Sequence, residues 1–222
     1  MIESAAGIIL RTRPLTETSL IVNWLTPNFG RISTAAKGAR RPKSPFLGKL
    51  DLFFEADFTF SRSRRSDLHT LREVSLRDMH GALRREIHYL QQASYCARLV
   101  EQVTEADTPL PAIYELLQAL LAALPRHPPQ PRSVYAFELK LLSELGLKPD
   151  LTKTHLKPAT KEIMTVLAGS NWREIAVLEA SAAQAKELRQ FLHGFLIFHL
   201  GRIPKGRSAV LIAREPFLVG RD

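Results

Sequence analysis

The sequence predicts an α+β chain: a small five-stranded β-barrel over residues 1–78, followed by an all-α region over residues 79–222. Three observations predict it. Short apolar runs of strand length, punctuated by Gly, Pro and Asn, recur through the first part. Near Asp78 the apolar period changes from that of a strand to that of a helix. The chain is 222 residues long and 45% hydrophobic, enough for one large core or two small ones.

The strands follow in order. Gly7 to Thr12 carries Ile8, Ile9 and Leu10, and Ser19 to Leu25 carries Leu20, Ile21, Val22 and Trp24 before the turn Thr26-Pro27-Asn28-Phe29-Gly30. Ile32 to Ala36 resumes a strand. In Leu52 to Phe60 the residues Phe54, Ala56, Phe58 and Phe60 alternate with Glu55, Asp57 and Thr59, the pattern of a strand with one wet face. Leu68 to Val74 is the fifth. Five short strands with the longest loop after the third suit a closed barrel of the OB type. Strand count alone does not separate that from an SH3-like barrel.

Beyond Asp78, residues 79–104 place Leu83, Ile87, Leu90, Ser94 and Ala97 at helical spacing. Pro109 and Pro111 open a second helix, rich in leucine to Leu124. The run Pro125 to Pro131 breaks it, as a stiff connector or a polyproline ligand. Arg132 to Leu145 is a third helix that stops at Gly146. Shorter helices are expected at 159–168 and 171–178. The last opens on the capping-box spacing Ser181 to Gln184 and runs to Gly201.

Charge narrows the partner. The chain holds 31 Lys+Arg against 22 Asp+Glu, a net charge of +9 and a pI of about 10.0, which favours polyanions. Nucleic acid is preferred over membrane, because no apolar run approaches the roughly 18 residues of a spanning helix. Met1-Ile2-Glu3-Ser4 also lacks the basic-then-apolar order of a signal peptide, so a cytosolic location is expected.

Two basic segments stand out. Lys37, Arg40, Arg41, Lys43 and Lys49 fall in a stretch with no acidic residue, punctuated by Gly38, Pro42, Pro45 and Gly48. Such a loop stands in solvent and is a candidate phosphate contact, the bland reading being a merely soluble loop. Arg62, Arg64 and Arg65 crowd the tip between the fourth and fifth strands, either extending that surface or discouraging edge pairing. Trp24 and Phe29 are expected in the core. Phe46, inside the basic loop, is either a base-stacking platform or a hydrophobic plug.

Catalytic machinery is not visible. A single cysteine, Cys96, excludes an internal disulfide and a multi-cysteine zinc site, and reads as a small buried hydrophobe. His193 and His199 are six residues apart, a spacing that does not share a helix face. There is no glycine-rich phosphate loop, GxSxG or HExxH. Asp51, Glu55 and Asp57 read as a solvated face rather than a nuclease metal site. We expect no enzyme activity, cofactor or metal.

Several segments carry a resemblance. Gly7-Ile8-Ile9-Leu10-Arg11-Thr12-Arg13-Pro14, Glu17 to Val22, Gly30-Arg31-Ile32 and Lys37-Gly38-Ala39-Arg40-Arg41-Pro42-Lys43-Ser44 resemble the N-terminal signature of the RecO family of bacterial recombination mediators. The similarity continues at Ala136 to Leu142, at Leu145 to Leu151, and at His199-Leu200-Gly201-Arg202 with Lys205 and Arg207. It implies an OB-fold that binds single- and double-stranded DNA, followed by a helical domain. Members anneal complementary strands, bind RecR, and engage the acidic tail of single-stranded-DNA-binding protein to help load RecA in the RecF pathway, in the bacterial cytoplasm at the nucleoid.

Residue by residue, the resemblance places DNA contacts on Lys37, Arg40, Arg41 and Lys43, whereas Lys49, Arg62, Arg64 and Arg65 rest on charge alone. Two departures stand out. The four-cysteine zinc motif that many relatives carry soon after the segment matching Leu145 to Leu151 is missing from Thr152 to Lys161, and Tyr135 stands where some relatives carry an arginine that receives the tail. Arg132 or Lys140, one turn to either side, then supplies that charge, with Arg202, Lys205 and Arg207 as further tail contacts. The last three also follow a helix C-terminus, where a structural role is equally open. The competing class is an adaptor whose positive charge serves acidic protein partners only.

Overall fold

Phe54, Ala56, Phe58 and Phe60, the period-two set, all enter one core, and the barrel is wrapped around them. In this computed structural model, which describes residues 1–211, the strands are β1 (Ile2–Pro14), β2 (Leu20–Thr26), β3 (Gly30–Ala36), β4 (Glu55–Ser61) and β5 (Leu68–Asp78). They close in the order β1-β2-β3-β5-β4. β1 is long enough to pair antiparallel with both β4, from Ile2, and β2, to Pro14, and it bends at a bulge between Ile9 and Arg11. Closure comes from a parallel β3–β5 pairing at Ser33 to Ala35. That connectivity is the OB type and resolves the SH3-like alternative.

Pairing sense fixes the two ends. β1, β3 and β5 run one way and β2 and β4 the other. The connections 15–19 and 37–54 therefore share one end, where the Arg40 amide donates to the Thr18 carbonyl at 2.9 Å. The turn at 27–29, the hairpin 62–67 and the N-terminus share the other, where the Arg62 amide donates to the Met1 carbonyl at 3.2 Å.

The core answers the hydrophobic pattern. Trp24 stacks on Phe58 at 4.1 Å between centroids, and its buried indole N–H donates to Thr34 Oγ1 at 2.9 Å. Phe29 is half-buried and meets Phe60 edge-on. Phe46 is 6% exposed and belongs to this core, so it is a plug.

Three expectations need correction. β1 begins at Ile2 rather than Gly7, because its first half is held by backbone pairing to β4 and needs no apolar run. Residues 52–54 form a turn, with Phe53 at φ 66°, which lets the consecutive Phe53 and Phe54 both be buried as a strand would not. Glu55 is not on a solvated face. It is buried, and Oε1 accepts from Tyr114 Oη at 2.9 Å and Gln118 Nε2 at 2.8 Å.

Those partners belong to a segment that returns to the barrel. Contacts divide the chain into Met1–Ala82 with Glu101–Gln118, and Leu83–Val100 with Ala119–Asp222. In the first unit, residues 104–110 lie along β3: Arg31 donates twice to the Thr104 carbonyl, at 3.1 and 2.6 Å, and Ala106 bridges Arg31. Gly30 permits this approach. Its φ is +62°, and a Cβ there would sit 1.9 Å from the Thr108 carbonyl oxygen. Gly30→Ala is expected to cost about 1–2 kcal/mol in left-handed backbone strain alone, plus whatever the clash displaces. A thermal melt unchanged by the substitution would contradict this packing.

The helical elements are α1 (Ile87–Val103), α2 (Pro111–Ala123), α3 (Pro131–Glu144), α4 (Pro158–Gly169), α5 (Trp172–Ala176), α6 (Ala182–Leu200) and α7 (Arg207–Leu211). The Ser181 capping box forms as its spacing predicts, and Asn171 makes a second at α5. The proline-rich run is a connector stapled into the second unit: Tyr89 Oη donates to the His127 carbonyl and Gln92 Nε2 to that of Gln130. Cys96 is buried, and burial pushes its thiol pKa well up. No helix among the described residues is long and apolar enough to cross a membrane.

Candidate nucleic-acid interface

The stretch 37–54 has no apolar period, yet it is ordered by successive turns. Arg41 N donates to the Gly38 carbonyl at 3.0 Å, Ser44 N to that of Arg41 at 3.1 Å, Leu47 N to that of Ser44 at 3.1 Å and Lys49 N to that of Phe46 at 3.0 Å. Gly38 and Gly48 supply left-handed backbone at φ 69° and 72°. Ala39 and Phe46 pin the array into the barrel core. Pinning the apolar side leaves the cations outside. Lys37, Arg40, Arg41 and Lys43 are exposed and Lys49 is half-buried. Among the described residues, no carboxylate pairs with any of the five. Arg13 adds an exposed cation at the same barrel end, because it pairs with Ile21 as Leu20 pairs with Ala36. It was readable as the outward residue before Pro14, in step with Arg11, but it stood outside any charge run.

The hairpin cations sit at the opposite end, so the barrel does not gather the two basic loops. Arg64 and Arg65 are exposed at the tip. Arg62 is committed instead: its Nε is 2.9 Å from Glu3 Oε1, its Nη1 is 3.0 Å from Asp107 Oδ1, and the guanidinium lies 5.6 Å from the Phe29 ring centre. The hydrogen bond to Glu3 is the main reason its pKa is raised. Beside it His69 is buried, which lowers its pKa, and the Arg62 charge lowers it further.

In the helical unit the six residues expected to receive a partner's tail are not one cluster. Arg207 is buried and makes a two-pronged pair with Glu138, Nε to Oε1 at 2.6 Å and Nη2 to Oε2 at 2.8 Å. Burial is the largest single influence on its pKa and lowers it, but the hydrogen bond and charge of Glu138, joined by Tyr95 and Tyr135, together outweigh burial and raise it. Tyr135 is buried with the Arg207 guanidinium 6.0 Å from its ring. Lys140 Nζ caps α4, donating to the Ala168 and Ser170 carbonyls at 3.1 and 2.8 Å. Arg132 donates to the Leu178 carbonyl at 2.6 Å. Arg202 and Lys205 are exposed, and Lys205 borders a cleft of about 450 Å³ with Arg189, His193, Ile203 and Pro204. Among the described residues no group of His, Cys, Asp or Glu is placed to hold a metal ion.

Two family models match the chain: one described as Recombination protein O N terminal, over residues 1–80, and one described as Recombination protein O C terminal, over residues 84–156. Among curated relatives, the DNA repair protein RecO of Alkaliphilus metalliredigens is 33% identical over 153 residues, covering 68% of this chain and 61% of the relative. That of Anaeromyxobacter sp. is 35% identical over 145 residues, 65% of this chain and 57% of the relative. That of Rhodopirellula baltica is 33% identical over 143 residues, 64% and 53%. The matched segment thus spans between half and two thirds of these relatives' length.

Proposed function

Since the chain belongs to the RecO family, we propose that it acts as a non-catalytic mediator of DNA repair and recombination, binding single- and double-stranded DNA and annealing complementary strands. The observation that carries this reading is the pinned loop of five cations on an OB barrel, none paired with a carboxylate among the described residues. Phosphates of two strands held on such a surface repel each other less, and base complementarity supplies the free energy of pairing. Acting at gaps, the protein works in the bacterial cytoplasm, at the nucleoid, with RecR and with single-stranded-DNA-binding protein, helping RecA to load. The tail of the latter, acidic and ending in an apolar residue, suits the cleft beside Lys205, with its apolar Ile203 and Pro204 and cationic Arg189.

The test is strand annealing and oligonucleotide binding with Arg40→Glu/Arg41→Glu. Affinity is expected to fall at least about tenfold at physiological salt, and the slope of log K against log salt to flatten by about 1.4 for single strands, two contacts at about 0.7 each. Unchanged annealing would place the DNA elsewhere. Absence of annealing by the native chain, with partner binding intact, would favour the adaptor.

A further inference from the structure

We propose that the Arg62 guanidinium is a phosphate-binding site for single-stranded DNA that the free protein keeps occupied with its own carboxylates, Glu3 and Asp107. This rests on the DNA-binding reading above and extends it to the opposite end of the barrel. Three donors of the Arg62 fork are engaged: Nε with Glu3 Oε1 at 2.9 Å, Nη2 with Glu3 Oε2 at 3.4 Å and Nη1 with Asp107 Oδ1 at 3.0 Å. Guanidinium recognises carboxylate and phosphate with the same planar fork, so these oxygens stand where phosphate oxygens fit.

The surroundings suit a nucleotide. Half-buried Phe29 lies 5.6 Å from the guanidinium and offers a ring beside the phosphate position. Arg64 and Arg65 are exposed two and three residues along the hairpin, without a carboxylate partner among the described residues.

The exposure of the contacts separates a displaceable occupant from a structural staple. Glu3 is 17% exposed, and the Arg62 and Asp107 side chains that pair beside it are 35% and 40% exposed, against 7% and 0% for Arg207 and Glu138. A solvated pair of that kind is weak and screened by salt, whereas a strand that releases counterions on binding gains at each phosphate. Asp107 is delivered by the segment along β3. Its backbone is left-handed, φ 55°, and its amide donates to the Arg31 carbonyl at 3.2 Å. Aspartate and asparagine both tolerate that conformation.

The test is Asp107→Asn in the full chain, which keeps the backbone preference and the side-chain shape and removes the charge. Oligo(dT) binding by fluorescence anisotropy across a salt series should tighten about three- to tenfold at low salt, with the salt slope steeper by about 0.7, one further phosphate. The gain should vanish in an Arg62→Gln background whose far-ultraviolet circular dichroism and melt show it folded. Asp67→Asn, an exposed carboxylate on the same hairpin, should change affinity less than twofold. Affinity unchanged by Asp107→Asn, an equal gain from Asp67→Asn, or a gain that persists without Arg62 would each overturn the proposal. A native chain that binds no oligo(dT) at low salt would overturn the DNA-binding reading along with it.

Discussion

Arg207→Ala is expected to destabilise the helical unit by about 3–5 kcal/mol, because it leaves the Glu138 carboxylate uncompensated in the interior. Glu138 is fully buried, and Arg207 makes two of its hydrogen bonds. The Tyr95 hydroxyl supplies another, at 2.5 Å; burial first, then the Glu138 charge, raises the Tyr95 pKa. A neutral donor does not replace the lost cation. Urea denaturation followed by circular dichroism should show the midpoint fall, and Glu138→Leu/Arg207→Met should recover most of the loss, since well-packed apolar residues replace a buried pair at little net cost. If Arg207→Ala left the midpoint in place and weakened only the binding of an acidic peptide, Arg207 would be a recognition residue, as its position after a helix C-terminus left open.

Phe46→Ala is expected to cost the barrel unit about 3–5 kcal/mol, the usual loss for a buried phenylalanine. The consequence for DNA is indirect. Phe46 is 6% exposed and its ring packs in the barrel core, so the side chain anchors the cation-bearing turns from the inside. Below its lowered melting temperature the variant should keep oligonucleotide affinity within about threefold, since its charges remain. A base-stacking role predicts the reverse: near-native stability with about a tenfold loss of single-strand affinity. Measuring both quantities on one variant separates the two.

What could be read from the sequence was what short-range physics decides. The Phe54 to Phe60 alternation, the capping box at Ser181 and the unpatterned cation loop each follow from neighbours within a few positions, and each is present in the structure. Long-range pairing was not legible. Arg62 finds Glu3 and Asp107 across separations of 59 and 45 residues, and Arg207 finds Glu138 across 69. A charge count sees only cations in such cases. The burial of Glu55 escaped for the same reason: alternation along β4 assigns it to the wet face, and only the return of Tyr114 and Gln118 covers it. Lys140 is expected from the sequence to offer its charge to a partner's acidic tail, and the sequence gives no sign of its acceptors within the chain, the Ala168 and Ser170 carbonyls, because they are backbone groups.

The antiparallel alternation of the barrel strands also makes the wall a ruler. β3 spans seven residues between the turn beside the hairpin end and the cation loop, and at about 3.3 Å per residue that is roughly 20 Å. At about 3.4 Å per nucleotide of a stacked strand, roughly six nucleotides cover it. On the proposed reading, a shorter polyanion would meet one end at a time, whereas a longer one lying along the wall would be held at two points by a spacing that neither loop can change.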